Sequence, residues 1–241
     1  IGDYVSDTDV LDNKITTNID KMKDRLKIDY AKLHGRGGAF FITPIGHGSV
    51  FSREQFTEEH KMFEQTARDF GENRILPVRE KLNVLNKDLS LEIFKEMGEL
   101  GFLGVDVPEE YGGLALDKTT ACIIIEALSS GRNASIMVTA SAHTGISMLP
   151  IIWYGNEGQK KKYLPKLTSG EWMGCYSLTE ANAGSDALSG ATTAVLNKER
   201  THYLLNGQKI FVTNGAWADI AVTFANVNGE YTAFILDKDC E

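Results

Sequence analysis

Tyr176-Ser-Leu-Thr-Glu-Ala-Asn-Ala-Gly-Ser-Asp186 begins as a strand and breaks into a turn of small residues, Asn182, Gly184, Ser185 and Asp186. Such a turn aims several backbone N–H groups and hydroxyls at one point, a geometry suited to a phosphate or an electron-rich ring. Further along, Asn206-Gly-Gln-Lys-Ile-Phe-Val-Thr-Asn-Gly215 reads as a hairpin turn entering a second strand. Taken singly, each stretch is compatible with ordinary β-hairpin chemistry.

Around these stretches the period is that of strands. Expected strands are 172–179, 191–196, 202–205, 209–213, 220–225 and 231–236, with Asn206-Gly207 and Asn228-Gly229 placed as two-residue hairpin turns. Upstream of Gly170 the pattern is helical. Thr57 caps a helix with Glu58 and Glu59 in its first turn, Phe63, Ala67 and Phe70 on one face, and Pro77 stopping or kinking it. A second helix starts at Ser90, with Leu91 and Phe94 inward and Gly101 at its end. Further helices fall at 118–130, wholly buried by composition, at 134–148, ended by Pro150, and at 157–163. Helices first and strands second predict an α+β fold: an all-α domain over 51–171, then an antiparallel β-barrel or sandwich-like domain over 172–241. No strand–GxGxxG–helix unit is present to hold a dinucleotide.

Residues 1–50 read as a leader or linker. Ile1 to Leu33 is polar and lysine-rich, and a surface helix and a mobile leader are both open readings; Gly35-Arg-Gly-Gly38 is a linker. The chain starts at Ile1 and stops at Glu241 just after an expected strand, and so reads as a fragment cut at both ends.

A hydrophobic fraction of 42%, a charged fraction of 24% and a net charge of −8 describe a soluble globular protein with no electrostatic case for nucleic acid or an anionic membrane. No apolar run approaches the roughly 20 residues of a membrane span. Cys122, Cys175 and Cys240 are too few and too scattered for a disulfide framework or a metal site, and point to a reducing compartment. The five histidines form no H-x-x-x-H pair. His143 is expected to be structural, Lys160-Lys-Lys162 a solvated face, Glu109 and Glu110 solvated, and Glu126 the buried partner of a basic group.

Together the two opening stretches resemble the acyl-CoA dehydrogenase family of flavoenzymes. The likeness extends to Leu100-Gly-Phe-Leu-Gly-Val-Asp-Val-Pro-Glu-Glu-Tyr-Gly-Gly113, to Leu149-Pro-Ile-Ile-Trp-Tyr-Gly155 with Gln159-Lys-Lys-Lys-Tyr-Leu-Pro165, and to Ser169-Gly-Glu171. The resemblance implies a helical domain, a β-domain and a C-terminal helical domain that this chain lacks. It implies FAD, α,β-dehydrogenation of fatty acyl-CoA thioesters, electron transfer to an electron-transfer flavoprotein, and a homo-oligomer. It places the protein in a bacterial cytoplasm or a mitochondrial matrix. By position, Tyr176, Leu178 and Thr179 lie along the flavin edge, Gly184 and Ser185 meet its phosphates, and Ser185 also meets the CoA arm. Phe211, Val212 and Thr213 flank the ring from the other side. The family's catalytic glutamate would lie beyond Glu241, leaving Glu180 to order backbone. Ala181 and Phe211 stand where many relatives carry Pro and Trp. Small Ala142 and Gly145, at the expected closed end of the acyl cavity, lean towards long chains. An acyl-CoA oxidase, a flavin-dependent monooxygenase and a non-catalytic scaffold are the alternative readings.

Overall fold

The computed structural model describes Gly38, Phe41 and residues 51–240, so the readings for Ile1 to His34 lie outside the described residues. The chain divides into two compact units, Ile1–Phe56 and Thr57–Glu241. In the first, Ser52 and Gln55 close a capping box around the short 3₁₀ turn Arg53–Gln55. The second unit carries everything that follows.

Helix α1 (Glu58–Phe70) starts where expected: the Thr57 hydroxyl accepts from the His60 N–H and His60 Nδ1 accepts from the Thr57 N–H. Such a cap contributes about 1 kcal/mol. Ala67 is fully buried, with Phe63 and Phe70 packed beside it. Before Pro77 the helix widens into a π-helical turn over Gly71–Ile75, and beyond a 3₁₀ turn it resumes as α2 (Arg79–Asn83), so Pro77 marks a kink and not a stop. Helix α3 (Lys87–Glu99) begins three residues before Ser90, because Asn86 takes the cap and Ser90 donates back to its carbonyl. Gly101, at φ 78°, ends it, with Phe102 N–H bonded to the Met97 carbonyl.

Helix α4 (Lys118–Leu128) buries Ile123, Ile124, Ala127 and Leu128. It is not wholly buried: Cys122 and Glu126 are exposed, which corrects the expectation of a buried Glu126. Helix α5 runs unbroken over Ala134–Tyr154, with π-helical turns at Ala142–Ser147. Pro150 does not end it. Proline cannot donate to the carbonyl four residues back, and it enters just after a segment whose bonds already follow a wider register. By length and composition α5 could cross a membrane, which no single apolar run in the sequence had signalled. Here Ile136, Ala140, His143, Ser147, Met148 and Ile151 are buried within the protein. Helix α6 (Glu157–Thr168) continues past Tyr163 through Pro165.

Five strands follow: β1 (Gly174–Ser177), β2 (Thr193–Leu196), β3 (Tyr203–Asn206), β4 (Ile220–Val227) and β5 (Glu230–Asp237). The sheet is mixed, and this corrects the antiparallel expectation. β4 pairs antiparallel with β5 along one edge, and on its other edge takes β1 in parallel at Ile220–Thr223 and then β2 at Asn226. Hairpin logic holds only for strands joined by tight turns. Asn228 at φ 53° and Gly229 at φ 96° make the expected turn between β4 and β5. β1 and β4, separated by a long excursion, pair in parallel instead.

Two cores hold the unit. One lies under the helices around Ile75, Ile93, Phe94, Met97, Ile124 and Leu128; the other seats Leu164 and Leu167 of α6 with Trp172, Ile220 and Val222 of the sheet.

Candidate functional site

Between β1 and β2 the chain leaves the sheet, and this excursion carries the first signature stretch. The backbones of Glu180 and Ala183 bond each other both ways at 3.1 Å, closing a tight turn over Ala181-Asn182. Beyond it Gly184, Ser185 and Asp186 are exposed. The second stretch was expected to be a strand over 209–213, fed by a hairpin turn at Asn206-Gly207. Neither forms. β3 ends at Asn206, only Ile210 makes a ladder-like bond, donating to the Thr179 carbonyl at 2.8 Å, and φ turns left-handed at Phe211 (56°) and Asn214 (68°). A strand cannot continue through such residues.

Lys209 joins the two stretches. Its ammonium donates to Glu180 Oε1 at 2.6 Å and to the Leu178 carbonyl at 3.1 Å. Glu180 also accepts from the Ala191 N–H at 2.5 Å and the Thr192 N–H at 3.1 Å. Burial pushes the Glu180 carboxyl up, but Lys209 and these N–H groups outweigh it and hold the value at about 2. Glu180 therefore orders backbone, as its position in the turn implied.

Six of the expected site residues fall into three groups. Leu178 and Thr179, half-buried, meet Lys209 and Ile210. Val212 and Thr213 line a cavity of about 440 Å³ opposite Ser135, Val138 and Thr139 of α5. Gly184 and Ser185 lie on the exposed turn. Tyr176 stands apart, its ring edge-on to Phe224 at 5.1 Å and packed on the second core. Phe211 is 89% exposed. Ala142 is buried away from this cavity, while a Cβ at Gly145 would meet nothing within 4 Å. Sequence reading missed Lys209 and Asn214. A lysine and a glutamate in separate signature stretches were the available signal for the first.

His143 is structural. It is fully buried, with Nε2 donating to the Leu167 carbonyl and Nδ1 accepting from the Gly174 N–H, both at 3.0 Å. Burial lowers its value to about 4, against the pull of the Leu167 bond. Lys162 is not merely solvated: it pairs with Asp237 at 2.6 Å, where the Tyr163 hydroxyl also donates at 2.9 Å.

Helices packed on a mixed sheet, with two hydroxyl-bearing stretches brought together and, among the described residues, no dinucleotide-binding βαβ unit, define an α+β scaffold distinct from a Rossmann fold. The chain belongs to the acyl-CoA dehydrogenase family: the family's N-terminal domain matches residues 57–171 and its middle domain residues 175–241. A probable acyl-CoA dehydrogenase of Bacillus subtilis (strain 168) is 46% identical over 205 residues, covering 85% of this chain and 34% of the relative. The mitochondrial isovaleryl-CoA dehydrogenase of Pongo abelii is 35% identical over 190 residues, covering 76% of this chain and 44% of the relative. The crystal structure of an acyl-CoA dehydrogenase complexed with FAD from Bacillus anthracis superposes with a TM-score of 0.76 at 51% identity, covering 79% of this chain and 32% of that one. The chain thus spans a third to under half the length of these relatives.

Proposed function

We propose that this chain forms the helical and middle portions of an FAD-dependent acyl-CoA dehydrogenase. The observation that carries the reading is the union of the Leu178-Thr179 and Lys209–Thr213 stretches through the Glu180–Lys209 pair. The donor set fits a polar-edged aromatic ring. The hydroxyls of Thr179 and Thr213 bond no group among the described residues, and Phe211, two residues before Thr213, is an exposed apolar ring. FAD, when bound, supplies the acceptor for the hydride leaving the acyl β-carbon.

The chain's own residues would hold and orient that cofactor. Leu178 and Thr179 would meet its ring edge from just beyond β1, Thr213 would donate from the opposite stretch, and Phe211 would exclude water without competing for the hydride. Gly184 and Ser185 would take the phosphate region, and Ser185 the CoA arm. The α-proton needs a free carboxylate in a dry site. Glu180 is bound to Lys209, Glu109 and Glu110 are exposed, and Glu126 faces outward on α4. The reading therefore takes the base from outside these residues. It also takes an electron-transfer flavoprotein as acceptor, a homo-oligomeric assembly, and, from the open space at Gly145, a long acyl chain.

The test is anaerobic mixing of the FAD-loaded protein, together with the portion that supplies the base, with acyl-CoA of graded length while the visible flavin absorbance is followed. Rapid bleaching, strongest with long chains, and slow reoxidation by air are expected. A flavin that no acyl-CoA reduces would defeat the reading, and fast reaction of the reduced protein with oxygen would make it an oxidase.

A further inference from the structure

Gly174 opens β1 and is held on both sides of its backbone. Its N–H donates to His143 Nδ1 at 3.0 Å, and its carbonyl accepts from Asn214 Nδ2 at 3.2 Å. The same Asn214 nitrogen donates to the Thr139 carbonyl at 3.0 Å. One side-chain amide, with two hydrogens to give, thereby ties helix α5 to strand β1.

The Thr139 carbonyl lies just before the π-helical turns of α5, where it also accepts from the Ala142 N–H. In the wide register Met148 N–H bonds the His143 carbonyl. The Thr144 hydroxyl takes that of Ala140 at 3.0 Å, and Asn214 takes that of Thr139. A side chain at Gly174 would overlap Ser147 Oγ, so a bare backbone is what lets the π turns seat on β1.

Asn214 directly follows Thr213 and sits at φ 68°, where asparagine is tolerated better than most residues. Its own carbonyl accepts from the N–H groups of Trp217 and Ala218, each at 2.9 Å, closing the turn beneath it. Val212, Thr213 and Asn214 line the cavity across from Thr139, the residue whose carbonyl Asn214 holds. The turn bearing Thr213 is thus anchored to the opposite cavity wall by its next neighbour.

We propose that Asn214 is a positioning residue: its amide fixes both the direction of the Thr213 hydroxyl towards the flavin and the spacing between Thr213 and α5 across the cavity. The inference rests on the role given to Thr213 above. Through this one side chain, the helix that bounds the cavity and the stretch that meets the cofactor move together.

A double-mutant cycle in the FAD-loaded protein, together with the portion that supplies the base, tests it, with Asn214→Ala, Asn214→Asp and Thr213→Val. Asn214→Asp keeps the shape but sets an acceptor-only carboxylate against two carbonyls. Both Asn214 variants should shift the visible flavin band as Thr213→Val does and slow reduction by acyl-CoA about 10²-fold. The Asn214→Ala/Thr213→Val pair should lose no more than Thr213→Val alone, since one acts through the other. Lowering the pH should partly restore Asn214→Asp, because a protonated carboxyl regains one donor, a rise absent from the wild type. Additive losses, or Asn214 variants with wild-type spectrum and reduction rate, would overturn the proposal. If acyl-CoA fails to reduce even the wild type, the functional reading falls, yet the spectra still decide: a band shift shared with Thr213→Val supports the role of Asn214, and an unmoved band ends it. Should Asn214→Ala not fold, the acid recovery of Asn214→Asp decides in its place.

Discussion

Glu180 and Lys209 meet at 2.6 Å with their side chains only 4% and 9% exposed, so the two signature stretches are joined by a buried ion pair. Both charges are desolvated, and each depends on the other for compensation. Removing Lys209 alone as Lys209→Met should cost about 3–5 kcal/mol of stability, because Glu180 is left charged and buried. Glu180→Gln/Lys209→Met should cost less than the sum of the two single changes. Urea unfolding of the four proteins measures the coupling, and strict additivity would show that the pair is not a unit.

The same carboxyl makes an acid-stability prediction. Its folded value of about 2 lies below the ordinary 4.5, so the unfolded chain takes the proton more readily. The stabilisation is complete above the ordinary value and is lost as pH falls towards about 2. Glu180→Gln should flatten that part of the curve of stability against pH.

His143 acts over a higher range. Its folded value of about 4 lies below the ordinary 6.5, and protonation would also deprive the Gly174 N–H of its acceptor. Stability should therefore fall as pH drops below about 6.5, levelling off near 4. Melting temperatures of wild type and His143→Gln across this range should diverge in slope; parallel curves would mean that His143 does not set it.

At Asp237 the exposed and buried partners should differ in weight. Lys162 is 53% exposed, so Lys162→Ala should cost under about 1 kcal/mol. Asp237→Ala should cost more, about 1–3 kcal/mol, because the buried Tyr163 hydroxyl loses its acceptor. Chemical denaturation of the two variants ranks them.

Thr213→Val should leave the fold unchanged, since the hydroxyl bonds nothing among the described residues. Flavin reduction should nevertheless slow by about 10²-fold, the usual consequence of losing one aligned donor. Stopped-flow reduction at saturating acyl-CoA is the measurement, and an unchanged rate would make Thr213 an ordinary loop residue.

What the sequence determined by itself is local. The Thr57 cap, the Asn228-Gly229 turn, the helical first half and the structural role of His143 depend on near neighbours or on strong residue preferences, and each was legible. The two signature stretches likewise identified the family, because their residues are read by type and order. Tertiary structure alone decided the pairings between residues far apart in the chain. β1 lies parallel to β4 because an excursion separates them, and that excursion cannot be closed by a hairpin. The stretch after Asn206 reads as a strand by alternation, yet Phe211 and Asn214 turn left-handed where the chain docks on Thr179 and on α5. Helix α5 is held by contacts that no local propensity encodes: its Thr139 carbonyl accepts from Asn214, 75 residues away, and its His143 donates to the Leu167 carbonyl, 24 residues away.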